Sequence, residues 1–302
     1  MKRIFIVYNP RSSRFRDVKQ EVLQKVGTLK GYVVGKYEVA PTDVDANACT
    51  LSKLLRNGDL IISAGGDATA CIAANACLLS DKDVTLAVLP YGNFNDLART
   101  LGLQKFEQIF YSDTKTIDYY PLEIHVDGHF FRYATCYVTI GMTAESVGIF
   151  DTPRIRQKLQ KKHQKSWRSY LYLAKWYRQN HHQKVFLSDF ALNGASQPSG
   201  TSDYFAINAT SVCKIMKGTK GYLSSRQFQS TTSRLANFFS LASFMFKSIL
   251  AQIPSTTTSG DVLDFTQPTN ITLQAEGEYR TFYNIRQAVL HAENKGFHLF
   301  VC

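Results

Sequence analysis

DLIISAGGDATACIAANACLLSDKDVTLAVLPYGNFNDLARTLG, residues 59–102, contains two short apolar runs, Leu60-Ile61-Ile62 and Val84-Thr85-Leu86-Ala87-Val88-Leu89. Each is rich in β-branched and aliphatic residues, and each ends in a glycine-bearing loop that opens a helical pattern, so the stretch reads strand, loop, helix, twice over. In open α/β sheets the loops at the carboxyl ends of the strands bind ligands, and the following helix offers unpaired amides and a positive dipole end, which suits phosphate. Gly65 and Gly66 remove side chains where a backbone would approach a polyphosphate, Asp67 supplies a carboxylate able to hold Mg²⁺ directly or through water, and Thr69 adds a hydroxyl. In the second loop Pro90 fixes the exit from the strand, Gly92 permits a turn, and Asn95-Asp96 present an amide and a carboxylate before Leu97-Ala98-Arg99 begin a helix.

Outward from this stretch, strand and helix keep alternating. Ile4 to Tyr8 is a strand that runs into Asn9-Pro10-Arg11-Ser12-Ser13, and Phe15, Val18, Val22 and Val26 mark one face of a helix. Tyr32 to Val39 reads as a strand and Asp43 to Arg56 as a helix, which implies a largely parallel sheet with right-handed crossovers. After Thr116 the rhythm changes. Leu122 to Val126 alternates, Asp127-Gly128 signals a hairpin, and Phe130 to Cys136 returns as its partner. Val185 to Leu192, Tyr204 to Ala209, Asn270 to Ala275 and Phe297 to Cys302 continue as strands, with helices over Pro153 to Gln179 and Thr231 to Ala251. The expected division is 1–121, an α/β nucleotide-binding domain, and 122–302, a β-rich domain whose C-terminal segment is free to return to the first.

The chain has 302 residues and a formal net charge of +11, which favours anionic partners. Its six cysteines show no metal-ligand spacing and read as reduced thiols of a cytoplasmic protein. No signal peptide or membrane span is expected, so membrane contact is peripheral. The basic stretch Arg154 to Lys184, with Trp167, Tyr170, Tyr172, Trp176 and Tyr177, suits the headgroup layer of an anionic bilayer. No nucleic-acid recognition motif accompanies it. A homodimer is compatible with these features.

Gly65-Gly66-Asp67-Ala68-Thr69 resembles the GGDGT signature of the diacylglycerol kinase catalytic domain family, and Pro90 to Arg99 resembles that family's P-x-G-T-x-N-D-x-A-R segment. Asn9-Pro10-Arg11-Ser12-Ser13 resembles its opening N-P-x-S-G. The resemblance implies a Rossmann-like α/β domain plus a C-terminal β-sandwich, as in NAD kinase and diacylglycerol kinase. It also implies a lipid kinase that uses ATP and Mg²⁺ on a substrate at an anionic membrane surface.

By the same resemblance Asn9, Pro10, Ser12, Gly65, Gly66, Asp67, Ala68, Thr69, Gly92, Asn93 and Asn95 hold nucleotide, and Asp67, Asp96 and Asp118 organise magnesium. Gln274-Ala275-Glu276-Gly277-Glu278 resembles the family's D-G-E segment, which makes Glu276 the general base, supported by Glu278. Ala68, Asn93, Ser13 and Glu276 depart from the family's residues, and Gly218 to Phe228 lacks the acidic stretch that carries a second magnesium in some relatives. An NAD kinase-like activity and a catalytically impaired nucleotide- or membrane-binding member remain as alternatives.

Overall fold

The computed structural model describes residues 2–12, 14–92, 94–111, 115–146, 148, 167–180, 187, 189–212, 216–217, 223–235, 238–250, 255–276, 278–292 and 296–301. The chain divides into two compact units: Met1–Pro121 with Gly221–Arg226 and Glu293–Cys302, and Leu122–Lys220 with Gln227–Ala292.

The first unit is built by the expected alternation. β1 (Lys2–Tyr8) leads to α1 (residues 15–26, π-helical over Val18–Leu23), β2 (Tyr32–Glu38) and α2 (Val44–Ser52). β3 (Asp59–Gly65), α3 (Asp67–Ser80), β4 (Val84–Pro90), α4 (Asp96–Leu101) and β5 (Lys115–Tyr119) follow. β1, β2, β3 and β4 are mutually parallel in the order β2-β1-β3-β4. The last strand of the chain, Phe297–Val301, joins parallel to β4, and β5 closes the edge antiparallel to it.

Burial explains the local choices. Val18, Val22 and Val26 are fully buried along one face of α1 and meet Ile4, Ile6, Ile62 and Leu89 in one core. β3 and β4 are apolar on both faces, as strands covered by helices on each side must be. α2 is shorter than the sequence suggests. Asp43 caps its start by accepting from the Ala46 amide at 2.7 Å, and the helix ends at Ser52.

The second unit is antiparallel. β6 (Leu122–Val126), β7 (His129–Ala134), β8 (Tyr137–Gly141) and a short helix α5 (Met142–Ser146) come first. Then come α6 (Trp167–Asn180), β9 (Phe190–Leu192), β10 (Ala195–Ser196), β11 (Asp203–Ile207), β12 (Ser211–Val212) and β13 (Met216–Lys217). β14 (Phe228–Ser233), α7 (Phe238–Ile249), β15 (Thr256–Thr258) and the long hairpin β16 (Gly260–Ala275) and β17 (Glu278–Ala292) complete it.

Register shifts in that hairpin between Asp264 and Ile271 let its two arms serve different neighbours: β17 pairs with β6 through Ala288 to Ala292, and β16 pairs with β8 through Leu273 to Ala275. Both halves of the resulting 10-stranded sheet close on one core, in which Ile124, Val126 and Leu290 meet Val138, Ile140, Tyr204 and Phe228. Asp127-Gly128 and Asn193-Gly194 turn with positive φ at both residues, as the hairpin signal requires.

Two sequence expectations are corrected here. Residues 231–233 continue β14, paired with β11, and the helix expected from Thr231 begins only at Phe238. Of the basic aromatic stretch, residues 154–166 and 181–184 lie outside the described residues. In α6 the Tyr177 side chain is buried, its hydroxyl bonds the Leu235 carbonyl, and Trp176 packs beside it with Met142 and Phe244. These two rings serve the core of the unit.

Candidate active site

The three loops at the carboxyl ends of β1, β3 and β4 are tied together by named bonds. Gly65 pairs in register with Pro90, and the Tyr91 amide donates to the Gly65 carbonyl at 2.9 Å. Ser12 Oγ donates to the Tyr91 carbonyl at 2.6 Å, and Arg14 Nη1 donates to the Pro90 carbonyl at 3.1 Å while its guanidinium lies over the Tyr91 ring. Tyr91 is itself buried, with its hydroxyl donating to Glu21 at 2.8 Å. Sequence reasoning missed Tyr91 and Glu21. Nothing in a linear motif shows that an aromatic side chain holds the second loop from beneath.

Asp67 is the knot of the arrangement. Its Oδ2 accepts from the Asn95 amide at 2.9 Å and its Oδ1 from the Asp96 amide at 2.6 Å, so a side chain at the start of α3 binds both amides that open α4. Burial pushes the Asp67 pKa up, and the amides of Asp96 and Asn95, then the Arg99 charge, pull against it. Asp96 is buried and its Oδ1 accepts from Arg99 Nη2 at 2.7 Å. Asn95 sits in the left-handed region (φ 57°). Its Oδ1 accepts from the Gly92 amide at 2.7 Å and its Nδ2 donates to the Gly92 carbonyl at 2.8 Å. The amide expected to face a nucleotide therefore closes its own loop. Asn9 does the same for the first loop, accepting from the Arg11 amide at 2.9 Å beside Pro10. Asn93 lies outside the described residues.

The glycines are also needed for a reason that the sequence does not show. A Cβ on Gly92 would stand 2.3 Å from Gly66 Cα, and one on Gly65 would stand 2.3 Å from Thr69 Oγ1. The missing side chains let one loop lie directly on the other. Thr69 is buried behind Gly65, so its hydroxyl does not face the loop surface. Gly66 caps α3 with no side chain, which leaves the first-turn amides of a 14-residue helix without a side-chain cap from that position. Ala68, where the family signature has glycine, is half-buried within α3 and has no positive φ. Ala68→Gly should therefore lower unfolding free energy by up to about 1 kcal/mol, read by urea denaturation.

Asp118 does not join the other two acids. It pairs in register with His298, which pairs with Thr85 near the start of β4, whereas the loops lie beyond Pro90 at its end. Five residues of strand, about 16 Å, separate them. Asp118 is largely exposed and lies 3.0 Å from His298 Nδ1, with Asp83 on the other ring nitrogen at 3.5 Å. Asp118→Asn is expected to change the unfolding free energy by no more than about 0.5 kcal/mol, read by urea denaturation.

In the second unit, Glu276 follows β16 directly, at φ 57°. Its carboxylate is buried and accepts from the Cys136 amide at 2.5 Å, the Tyr137 amide at 3.1 Å and the Thr135 hydroxyl. Glu278 is exposed. Two of these donors, the amides of Cys136 and Tyr137 at the corner between β7 and β8, left no trace in the sequence, because backbone amides carry no signature.

Another acid of this unit is buried. Asp203 accepts from the Thr143 amide at 2.6 Å and the Ser202 hydroxyl at 2.7 Å, and burial raises its pKa from 3.8 to about 6. Glu145 is raised as well, by burial and then by the Asp203 charge. A carboxyl group whose folded pKa lies above its unfolded one holds its proton longer when folded. The contribution of such a group to stability is then greatest below about pH 4 and falls as pH rises to about 6, by about 3 kcal/mol for Asp203. Urea denaturation at pH 4.5 and 7 should show this fall in the parent and a flatter profile in Asp203→Asn.

Residues 3–120 match the family model of the diacylglycerol kinase catalytic domain. The diacylglycerol kinase of Bacillus subtilis (strain 168) is 38% identical over 116 residues, which is 38% of this chain and 38% of that protein. The diacylglycerol kinase of Staphylococcus saprophyticus subsp. saprophyticus is 32% identical over 104 residues, 34% of this chain and 33% of that protein. The match thus spans little more than a third of the length of these curated relatives. A crystal structure of a diacylglycerol kinase from Bacillus anthracis str. Sterne aligns over 100% of this chain and 97% of its own, with a TM-score of 0.69 and 13% identity, and shares the two-unit fold. Among the described residues, no helix is long and apolar enough to cross a membrane.

Proposed function

We propose that this chain, whose residues 3–120 match the model of the diacylglycerol kinase catalytic domain, is a lipid kinase that transfers the γ-phosphoryl group of ATP to a hydroxyl on a lipid such as diacylglycerol. The observation that carries this reading is the Asp67 carboxylate bonded to the amides of Asn95 and Asp96. It fixes the β3 and β4 loops as one surface beside the uncapped start of α3, where main-chain N–H groups and the helix dipole favour phosphate. Phosphoryl transfer asks mainly for positioning and for neutralised charge, which such a surface supplies.

The acids present fit a cation that arrives with ATP and is touched through water. Asp67 and Asp96 stand together but are already engaged by amides and Arg99, so a cage of three carboxylates is not part of the proposal. Mg²⁺ would offset the charge of the β- and γ-phosphates. Asp67 and Asp96 would orient its water, Gly66, Ala68 and the first turn of α3 would face the phosphates, and the Glu276–Glu278 turn would supply the base.

Exposed apolar side chains support a greasy acceptor. Phe239 and Phe246 on α7 are 82% and 63% exposed, and Leu171 on α6 is 57% exposed. In a flotation assay the double variant Phe239→Asp, Phe246→Asp should lose recovery with anionic vesicles while its thermal unfolding stays within about 2 °C of the parent.

Labelled ATP offered to a total lipid extract, with NAD as a parallel acceptor, tests the reaction. A labelled lipid is expected. Label on NAD alone would turn the reading to an NAD kinase-like enzyme, and ATP binding without transfer to either acceptor would leave a catalytically impaired member of the family.

A further inference from the structure

On the outer face of its sheet the second unit carries chemistry that phosphoryl transfer does not use. Leu122, Ile124 and Val126 of β6 point into the core, so the two-residue period of a strand turns Glu123 and His125 to the opposite face. On β17, Leu290 and Ala292 are likewise buried, and His291 stands directly across from Glu123 in the antiparallel register. The three side chains converge. Glu123 Oε1 lies 2.7 Å from His125 Nε2, Glu123 Oε2 lies 3.0 Å from His291 Nε2, and the two imidazoles stack with centroids 5.5 Å apart and planes 19° apart. One ligand atom from each residue falls within 4.8 Å of the others. Phe130 meets His125 edge-on at 5.8 Å and limits its rotation.

We propose that Glu123, His125 and His291 form a binding site for a divalent transition-metal ion of the Zn²⁺ type. Two imidazole nitrogens and one carboxylate oxygen make a donor set of borderline softness, which suits Zn²⁺ and its neighbours and not Mg²⁺ or Ca²⁺, whose preference is for oxygen. Ligands about 2 Å from a tetrahedral ion stand about 3.3 Å from one another, a spacing between the 2.7 and 3.0 Å contacts and the 4.8 Å span of the cluster, so small side-chain rotations admit the ion. Adjacent strands carry all three residues, and the sheet therefore holds the cluster in place. The side chains of Glu123, His125 and His291 are 16%, 24% and 35% exposed, enough for an ion to enter from solution. With three protein ligands, a coordination position remains for water or a further ligand.

The full-length protein titrated with Zn²⁺ by calorimetry at about pH 7.5, and with Co²⁺ by visible absorption, tests this. One ion per chain is expected, with ligand-field bands of a tetrahedral nitrogen and oxygen site and without the thiolate charge-transfer bands that cysteine ligation would give. Zn²⁺ should raise the unfolding temperature where the same concentration of Mg²⁺ does not. His125→Ala and His291→Ala should each weaken binding by about tenfold or more, and the double variant should abolish it. Both histidines are partly exposed, and unfolding in chelator checks that the variants fold; His291→Asn serves where His291→Ala does not. A parent protein that shows no Co²⁺ bands, or an isotherm unchanged in the double variant, would overturn the proposal.

Discussion

Asp67→Asn should lower the unfolding free energy by about 4 kcal/mol and abolish phosphoryl transfer. Two amides donate to the Asp67 carboxylate, at 2.9 and 2.6 Å, and both bonds are charge-assisted. An asparagine offers one acceptor oxygen, and its NH₂ then faces the second amide, donor against donor. The lost bond is worth about 1.5–3 kcal/mol and the stranded amide costs a further 1–3 kcal/mol. The β4 loop is thereby released from the β3 loop, and the N-terminal turns of α3 and α4 no longer form one surface. Urea denaturation reads the first effect and transfer of label from ATP the second. A variant that kept full stability and full turnover would remove Asp67 from its place at the centre of the site. Asp118→Asn is the matched control, because it changes the same functional group in the same unit at the far end of the sheet.

The contrast between these two aspartates shows what the sequence could reveal. The apolar runs of β3 and β4, each closing on a glycine loop, are local features, and they suffice to place both loops at one end of a parallel sheet. The valine spacing that buries one face of α1 is local in the same way. Asp118 depends instead on a partner almost two hundred residues away. The strand Phe297–Val301 inserts between β4 and β5, so β5 runs antiparallel and carries Asp118 away from the loops.

No periodicity in residues 115–119 encodes that pairing. A second role of the glycines was invisible for a related reason: only the folded loops show that Gly66 and Gly92 also lie directly against each other. Asn95, one residue before α4, looked like a free amide, and only its left-handed backbone folds that amide back on Gly92.

Glu276→Gln should also destabilise the protein by about 4 kcal/mol, and the reason lies in the backbone as much as in the side chain. A non-glycine residue at φ 57° is strained by about 1 kcal/mol or more, and the strain persists only where the surroundings hold it. The surroundings are the amides of Cys136 and Tyr137 and the Thr135 hydroxyl, all donating to one buried carboxylate. Glutamine keeps the shape but turns an NH₂ toward donors, in a place with little water to compensate.

The same geometry separates a base from a brace. If Glu276 only clamps the hairpin to the β7–β8 corner, the stable fraction of Glu276→Gln at low temperature will turn over at the parent rate, and Glu278→Gln will behave likewise. If the turn supplies the base, the folded variant will bind ATP with parent affinity, while its kcat will fall by about 10² or more and lose its acidic limb in the pH profile. Glu276→Asp, one methylene shorter, retains the charge but falls short of the Cys136 and Tyr137 amides. It should therefore show reduced stability with kcat above that of the glutamine variant. Aspartate and glutamine variants that both turn over at the parent rate per folded molecule would assign the carboxylate to the fold alone.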